Sequence, residues 1–229
     1  MDVKLLVAVP NNTGFCSEYC RNSFFLMGWE LRDMGIPALS MTLDNYPLST
    51  ARNLAVKELL ENVNHFTHLL FVDADTPVPQ GGIRRLLSHD LPIVSSYQLS
   101  RKGTGLLVVM KQLDPMPKQF PPSVFPSFKG LHPKEFEALP RARNGLVEVD
   151  GVGCGCILLR RDVFEKLDEP YFKEDWGEST DAFSYGEDLY FCLNARYHGI
   201  KIYVDSNVFC PHLAWQFLDQ RHYQMMLGR

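Results

Sequence analysis

The sequence contains no apolar run that approaches the length of a membrane-spanning helix. Such a helix needs about 20 consecutive apolar residues, and here charged or turn-forming residues interrupt every run well before that. The first residues, MDVKLLVAVPNN, place an acid before their only lysine, and no small-residue cleavage site follows. They therefore indicate a first β-strand rather than a signal peptide.

The chain also lacks an excess of positive charge and a dense set of cysteines. Its net charge of -4 at pH 7 predicts no broad polyanion-binding surface, although a local basic patch is compatible with it. Six cysteines in 229 residues are too few for a disulfide framework in a chain of this size. We expect a reducing, cytoplasmic compartment, with the following cysteines as small buried side chains: Cys154, Cys156, Cys192 and Cys210.

What is present is typical of an ordinary globular protein. Hydrophobic residues make up 45% of the chain and charged residues 22%, and the length suits one sizeable core. No internal repeat and no clear domain boundary is visible. We expect a single domain over residues 1–229.

Strands and helices alternate in the first third of the chain. Continuous apolar runs predict strands at 4–10, 36–44 and 67–75. A helix closed by Gly35 lies between the first two, and a helix capped by Ser49 or Thr50 lies between the second and third. This β-α-β-α-β order predicts an α/β fold with a mainly parallel, Rossmann-like central sheet flanked by helices.

The same patterns continue to the end of the chain, with one interruption. Strands are predicted at 91–99, 105–113, 146–150, 153–159 and 200–206, and helices at 81–90, 160–167, 187–199 and 214–228. Residues 114–140 differ, because they carry seven prolines and four phenylalanines. Prolines at that density oppose regular ladders and long helices. We expect this segment to pack on the domain or to form a loop or lid on the acceptor side of a cleft.

Two acids follow the most apolar of the predicted strands. Asp73 and Asp75 end the stretch HLLFVDAD, where ligands bind in open α/β sheets. If the chain stays extended, alternation points both side chains to the same side. Carboxylate oxygens suit Mg²⁺ or Mn²⁺. Taken alone, the pair is also compatible with a surface turn before Pro77.

Other motifs accompany this acid pair. In chain order they are VAVPNN, ARNLAV, FVDAD, GVGCGCILLRRDVFEKL, PYF, YGEDLYFC and NVFCPHL. Together they resemble the nucleotide-sugar-dependent glycosyltransferases of the GT-A fold, in particular the family-2-like members with an Asp-x-Asp motif. Each motif is short, but they occur in the expected order and span residues 4 to 212. The resemblance implies a GT-A type fold and a metal-dependent glycosyltransferase, a hexosyl- or pentosyltransferase, that prefers a UDP-sugar.

The resemblance assigns a divalent metal, Mn²⁺ or Mg²⁺, to the acid pair. Asp75 would bind it directly, and Asp73 would contact the metal or the ribose. His212 would be a third protein ligand. A divalent ion suits this position because the nucleoside diphosphate develops negative charge as it leaves. As a lone histidine beside a proline, His212 is equally compatible with a surface residue.

The resemblance also places the donor and the catalytic base. Arg52 would face the diphosphate, and the base pocket would take Pro10, Asn11, Asn12 and, with weaker support, Asp44. Asp188 would deprotonate the acceptor hydroxyl in an inverting reaction, and Glu187 would orient the site. Both acids also suit a helix N-terminus for electrostatic reasons alone.

Three further features have both a binding and a packing interpretation. Gly151, Gly153 and Gly155 alternate, so a single strand through them would have one bare face. Trp176 could stack on an acceptor. Arg101, with Lys102, could contact phosphate, or both could be solvated charges.

Two alternatives of other classes stay open. A nucleotidyltransferase would use a similar sheet and carboxylate-bound Mg²⁺, but its glycine-rich basic loop after the first strand is not matched by PNNTGF. A non-catalytic nucleotide-sugar or glycan-binding module is the other alternative. A retaining reaction is compatible with the fold. The acceptor (a glycan, a lipid-linked or protein-linked group, or a modified nucleobase) and the oligomeric state are open.

Overall fold

The computed structural model describes residues 3–101, 105–174 and 185–213. Its strands are β1 (Leu5–Asn11), β2 (Ala38–Asp44), β3 (His68–Val72), β4 (Ile93–Tyr97), β5 (Val109–Gln112), β6 (Phe128–Gly130), β7 (Leu146–Val149), β8 (Gly151–Val152), β9 (Cys156–Arg160) and β10 (Ile202–Phe209). Its α-helices are α1 (Glu18–Asp33), α2 (Leu48–Glu61), α3 (Gly82–Ser88), α4 (Pro133–Glu137), α5 (Arg161–Phe164) and α6 (Glu187–Tyr197), and a 3-10 turn covers Arg143–Gly145.

The larger sheet has the strand order β2-β1-β3-β9-β4-β10-β7. β2, β1, β3, β4 and β10 share one direction, whereas β9 and β7 are antiparallel to their neighbours. The smaller sheet, in the order β6-β5-β8, is antiparallel throughout. The predicted α/β class with a mainly parallel sheet and flanking helices is confirmed.

Burial explains why β1 and β3 are interior strands of the larger sheet. Every residue of β1 and of β3 is buried, as expected for parallel strands with packed layers on both faces. One core cluster includes Leu6, Phe71 and Phe191 on one face, and a second includes Leu5 and Leu70 on the other. Because β1 and β3 are also parallel neighbours, their carboxyl ends lie at the same edge of the sheet.

The helix boundaries follow local chemistry, with one correction. The Ser17 side chain accepts a hydrogen bond from the Cys20 N–H at the start of α1, and Gly35 ends that helix with φ +66°, as predicted. The predicted cap of α2 by Ser49 or Thr50 is wrong. α2 begins earlier, after Pro47, without a side-chain cap.

The alternating glycines do not belong to one strand. Gly151 lies in β8 of the smaller sheet, whereas β9 of the larger sheet begins only at Cys156. A turn at Cys154 and Gly155 connects them. The expectation of one strand with a bare face is therefore wrong, because the segment leaves one sheet and enters the other.

The proline-rich segment contains more regular structure than expected. Both β6 and α4 lie in it, and β6 pairs with β5. β6 occupies a gap between prolines, and Pro133 is the first residue of α4, where a missing N–H costs nothing. Phe120 packs against Tyr190 and Tyr197 of α6, so part of the segment lies on the domain.

Some predicted features fall on residues that the structure does not describe. Lys102, Trp176 and the helix at 214–228 lie outside the described residues.

All six cysteines are free thiols, and the four expected to be buried are buried. Among the helices that the structure describes, none is both long and apolar enough to cross a membrane.

Candidate active site

The acid pair lies where β3 ends, and the chain turns there. The Asp73 N–H donates to the Gly155 carbonyl at 2.9 Å, and the Thr76 N–H donates back to the Asp73 carbonyl at 3.0 Å. The expectation of an extended chain through both acids is therefore wrong. Because of the turn, the Asp73 and Asp75 carboxylates have different partners.

Arg52 joins the Asp73 carboxylate to the start of α6. Its Nη2 donates to Oδ1 of Asp73 at 3.0 Å, and its Nε donates to Oε1 of Glu187 at 3.0 Å. Only 2% of the side chain is exposed, and its Cζ lies 5.0 Å from the centroid of the Phe71 ring. A buried guanidinium with two carboxylate partners holds its neighbours in place. The predicted contact of Arg52 with a diphosphate stays a prediction.

The ionisation of this cluster is set by burial and by its internal charges. Burial disfavours the charged form of Arg52, but the Asp73 and Glu187 carboxylates outweigh it and raise the pKa of the guanidinium. Burial also disfavours the charged form of Asp73 and therefore raises its pKa, and the charge of Arg52 opposes that shift. Removal of Arg52 would therefore leave two carboxylates without their counter-charge.

Asn53, the next residue of α2, secures the chain on the other side of the cluster. Its Nδ2 donates to the Phe172 carbonyl at 2.7 Å, and its Oδ1 accepts from the Phe172 N–H at 3.2 Å. Phe172 packs edge-on against Phe71 and stacks on Phe191 of α6. The Arg-Asn pair thus connects α2 to both β3 and α6.

Asp188 is the second residue of α6 and lies among glycines. A β-carbon at Gly186 would lie 2.8 Å from Oδ1 of Asp188, and one at Gly153 would lie 3.6 Å from Oδ2. Burial, reinforced by repulsion from Glu187, raises the pKa of Asp188 to about 7. A carboxyl group with that pKa can accept a proton near neutral pH, which a general base requires.

Asp75 faces His212 and Arg101. Nε2 of His212 lies 3.6 Å from Oδ1 of Asp75, and Nδ1 of the ring lies 3.0 Å from the Leu99 carbonyl. Nη1 of Arg101 forms an ion pair with Oδ2 of Asp75. Burial favours a higher pKa for Asp75, but the neighbouring His212 ring and the charge of Arg101 outweigh it and lower the pKa.

The His212 ring has the orientation that a metal ligand needs. When its Nδ1–H donates to the Leu99 carbonyl, the lone pair of Nε2 in the neutral ring points towards the Asp75 carboxylate. Two electron-rich atoms at that distance can bind one cation together, either a proton or a metal ion. A backbone carbonyl that orients the second ring nitrogen is common in metal sites. Asp75 and His212 therefore fit a divalent cation.

Asp73 does not join them in this arrangement. Both of its carboxylate oxygens lie within 3.3 Å of Nη2 of Arg52. Within the described ranges, no group of three or more His, Cys, Asp or Glu side chains could hold a metal ion. A two-residue protein site would leave the remaining coordination positions to water or phosphate oxygens. The role of Asp73 as a metal ligand stays a prediction.

Most of the ionisable groups described above line one cavity of about 530 Å³: Arg52, Asp73, Arg101, Glu187, Asp188 and His212. Asp75 is not one of its lining residues, but it contacts two of them, Arg101 and His212. Residues that the sequence places far apart thus meet in one cleft, at the carboxyl end of β3 and the N-terminus of α6.

The residues predicted for the base pocket lie apart from that cleft. Nδ2 of Asn11 donates to Oδ1 of Asp44 at 2.8 Å, where β1 and β2 end side by side. Pro10 is buried in β1 and Asn12 is exposed. Asn11 lines a different cavity, of about 560 Å³, between α1 and β2. The structure confirms proximity for Asn11 and Asp44, and a role of these residues in base binding stays a prediction.

Gln98 is a site residue that the sequence analysis missed. It is buried, its Oε1 lies 3.3 Å from the Thr76 hydroxyl, and a β-carbon at Gly155 would lie 2.3 Å from its Nε2. Gln98 therefore supports the turn that carries Asp75, and it explains why residue 155 has no side chain. The only signal in the sequence was the glycine itself.

Comparison with known proteins adds information on the fold. No protein-family model matches the chain, and no curated protein matches it. Among solved structures, A197 from STIV has a TM-score of 0.55 and 18% identity, with 93% of this chain and 87% of that chain covered.

Two structures of a Drosophila beta1,4galactosyltransferase 7 are also similar. The catalytic domain in complex with xylobiose has a TM-score of 0.48 and 15% identity, with 96% of this chain and 73% of that chain covered. A mutant in complex with manganese, UDP-Gal and xylobiose has a TM-score of 0.47 and 12% identity, with 96% and 79% covered. The likeness to A197, whose TM-score exceeds 0.5, shows that this chain shares the fold of that protein. Identities this low show a shared fold alone, so its function has to be argued from the site.

Proposed function

We propose that the protein is a metal-dependent glycosyltransferase that moves a sugar from a nucleoside-diphosphate sugar to an acceptor hydroxyl. One observation carries this proposal: Asp188, with its pKa near 7, shares a cavity with Arg101 and His212, the two partners of Asp75. A group suited to accept protons thus lies in the same cleft as side chains that suit a cation and an anion. Group transfer to a hydroxyl needs both.

The donor end consists of Asp75, His212 and Arg101. Asp75 and His212 would hold Mn²⁺ or Mg²⁺, which supplies positive charge to the departing diphosphate. Arg101 pairs with Asp75 through Nη1, and its remaining N–H groups suit phosphate oxygens. UDP is favoured as the carrier by the resemblance in sequence motifs, and so is the assignment of the sugar to the hexose or pentose class.

The acceptor end is Asp188. Its carboxylate takes the proton of the acceptor hydroxyl, the acceptor oxygen attacks the anomeric carbon, and the bond from that carbon to the diphosphate oxygen breaks. A single displacement of this kind inverts the configuration of the sugar. Arg52, Asp73 and Glu187 position the N-terminus of α6 through their ion pairs, and thereby position Asp188.

The loop after the first strand favours glycosyl transfer over nucleotidyl transfer. A nucleotidyltransferase of similar fold carries basic residues in the loop after its first strand. Residues 12–17, between β1 and α1, contain none, and the next basic residue, Arg21, lines the cavity between α1 and β2.

Thermal unfolding with nucleoside diphosphates and nucleotide sugars, with and without Mn²⁺, tests the donor assignment. We expect one nucleotide to raise the melting temperature only when metal is present, and Asp75→Asn to abolish that shift. Asp33→Asn, at an exposed position on α1, is the matched control and should keep it. A panel without any metal-dependent shift in the unmodified protein would refute the proposal.

Hydrolysis of the stabilising nucleotide sugar tests catalysis separately from binding. Asp188→Asn should keep the metal-dependent shift but lose turnover by at least about a hundredfold, the contribution of a general base. If the unmodified protein binds the nucleotide sugar and never turns it over with any acceptor, it is a binding module instead.

A further inference from the structure

Beyond Asp188, the cleft has an apolar wall formed by the residues that lead into β5, by β5 itself and by β6. Leu106, Val108 and Met110 line it, together with Phe128 of β6. Along this segment, Leu107 and Val109 are buried, while their neighbours on either side are partly exposed. This alternation is that of an extended chain with one face on the core and the other face on the cleft. We call Leu106, Val108, Met110 and Phe128 the apolar plate.

Two glycines leave the space that the apolar plate occupies and allow it to lie next to Asp188. A β-carbon at Gly153 would lie 2.5 Å from Cγ1 of Val108 and 3.6 Å from Oδ2 of Asp188. A β-carbon at Gly151 would lie 3.3 Å from Cβ of Met110. Any larger residue at these positions would push into the plate or separate it from Asp188. The plate therefore begins where the proton would be transferred.

The chemistry of the plate restricts what can lie on it. A buried hydroxyl without a hydrogen-bond partner costs free energy, whereas an apolar ring or chain gains from contact with apolar side chains. The four side chains of the plate carry no hydrogen-bonding group apart from the weakly accepting sulfur of Met110. A molecule that presents several hydroxyls to this surface would leave them unsatisfied there.

We propose that the acceptor is an amphiphilic alcohol, in which the reacting hydroxyl lies next to an apolar ring or chain that packs on the apolar plate. This inference rests on the proposed function, because it takes Asp188 as the base. An aromatic alcohol or aryl glycoside and an alkyl or lipid-linked alcohol share this chemistry. The low profile imposed by the glycines suits a flat ring, and a chain can lie along the same surface.

Transfer to matched acceptors tests the inference. With the donor from the thermal panel, methyl, phenyl and octyl glucosides are compared at equal concentrations. We expect kcat/KM to be at least about tenfold higher for the phenyl or the octyl glucoside than for the methyl glucoside, within the range that apolar pockets achieve. A phenyl preference identifies an aromatic acceptor, and an octyl preference identifies a lipid-like one.

Variants of nearly equal shape connect that preference to the plate. Val108→Thr and Met110→Gln add polar groups with little change in volume, and each should reduce the preference, measured as the ratio of kcat/KM for the phenyl or octyl glucoside to that for the methyl glucoside, several-fold. Val124→Thr and Met116→Gln make the same changes outside the cleft, at positions with 81% and 37% exposure, and should leave the preference unchanged. Saturation-transfer NMR with phenyl glucoside, Mg²⁺ and the nucleoside diphosphate gives a readout that needs no turnover.

The outcomes separate the two proposals. Two results would overturn the apolar-acceptor inference alone. One is metal-dependent donor binding and hydrolysis without any preference for apolar acceptors. The other is a preference that Met110→Gln and Val108→Thr leave intact. A protein that shows no metal-dependent nucleotide binding would overturn the proposed function, and the inference with it.

Discussion

Nε2 of His212 lies 3.6 Å from Oδ1 of Asp75. These two residues are 137 positions apart in the chain. The Leu99 carbonyl holds the His212 ring in place through its contact with Nδ1. When the neutral ring carries its proton on Nδ1, the lone pair of Nε2 faces this carboxylate, an arrangement that suits a cation. Each of the first two predictions follows from the surroundings of this pair.

His212→Ala should weaken metal-dependent nucleotide binding by at least about tenfold, because it removes one of the two proposed protein ligands. The measurement is the Mn²⁺ concentration that gives half of the thermal shift at a fixed nucleotide concentration. His198→Ala, at the end of α6 and paired with Asp168, is the control. Equal metal requirements in both variants would exclude His212 as a ligand.

Arg101→Ala should weaken binding of the nucleoside diphosphate without weakening binding of the metal alone. The reason is that Arg101 contributes positive charge and N–H donors but no metal-ligating atom. Calorimetric titration with Mn²⁺ and then with the nucleotide measures the two steps. Arg84→Ala, exposed on α3, is the control. A parallel loss of metal affinity would mean that Arg101 acts only by orienting Asp75.

Activity should rise with pH through about 7, the pKa to which burial and Glu187 raise Asp188. Below that pH the carboxyl group is protonated and cannot accept the acceptor proton. The pH dependence of kcat/KM for transfer measures this pKa. Asp162→Asn, a change in the pair with Arg160 on the surface, should leave the profile in place. A rate that stays constant from pH 5 to pH 8 would contradict the role of Asp188.

The same shift predicts the sign of a stability change. The folded pKa of Asp188, about 7, lies above its ordinary value of 3.8, so between these values the folded protein binds a proton that the unfolded chain does not. The contribution of Asp188 to the free energy of unfolding therefore falls as pH rises from about 4 to about 7. Asp188→Asn should remove that slope in urea unfolding.

Arg52→Ala should destabilise the protein by about 3–5 kcal/mol, because it leaves Asp73 and Glu187 buried without a counter-charge. Arg32→Ala removes a pair in which both side chains are mostly exposed, and should change stability by less than about 1 kcal/mol. Urea unfolding compares the two. Similar midpoints would show that the Arg52 cluster contributes little.

Much of the fold was predictable because the relevant signals are local. The apolar runs of β1 and β3 identified the buried strands, and the position of Asp73 and Asp75 after β3 followed from them. The turn after Asp73 was not predictable, because it depends on the carbonyl of Gly155 in a distant segment. The ion pair between Arg52 and Glu187 joins residues 135 positions apart, and no local pattern encodes it.

The division of the glycine-rich segment between two sheets was missed for a related reason. Val152 and Cys156 follow the same apolar alternation, and nothing in the composition of the intervening residues separates them. In the folded chain, Val108 and Gln98 occupy the space that side chains at Gly153 and Gly155 would need. Only the assembled structure shows which neighbour a glycine accommodates.

The cluster around Arg52 has a consequence for charge balance during turnover. One guanidinium faces Asp73 and Glu187, so these three groups together carry one negative charge, and ionised Asp188 adds another beside them. In the proposed reaction, Asp188 becomes neutral as the diphosphate gains charge. The acceptor side of the cleft therefore loses a negative charge when a negative charge develops on the donor side. The total charge of the cleft and its contents stays constant.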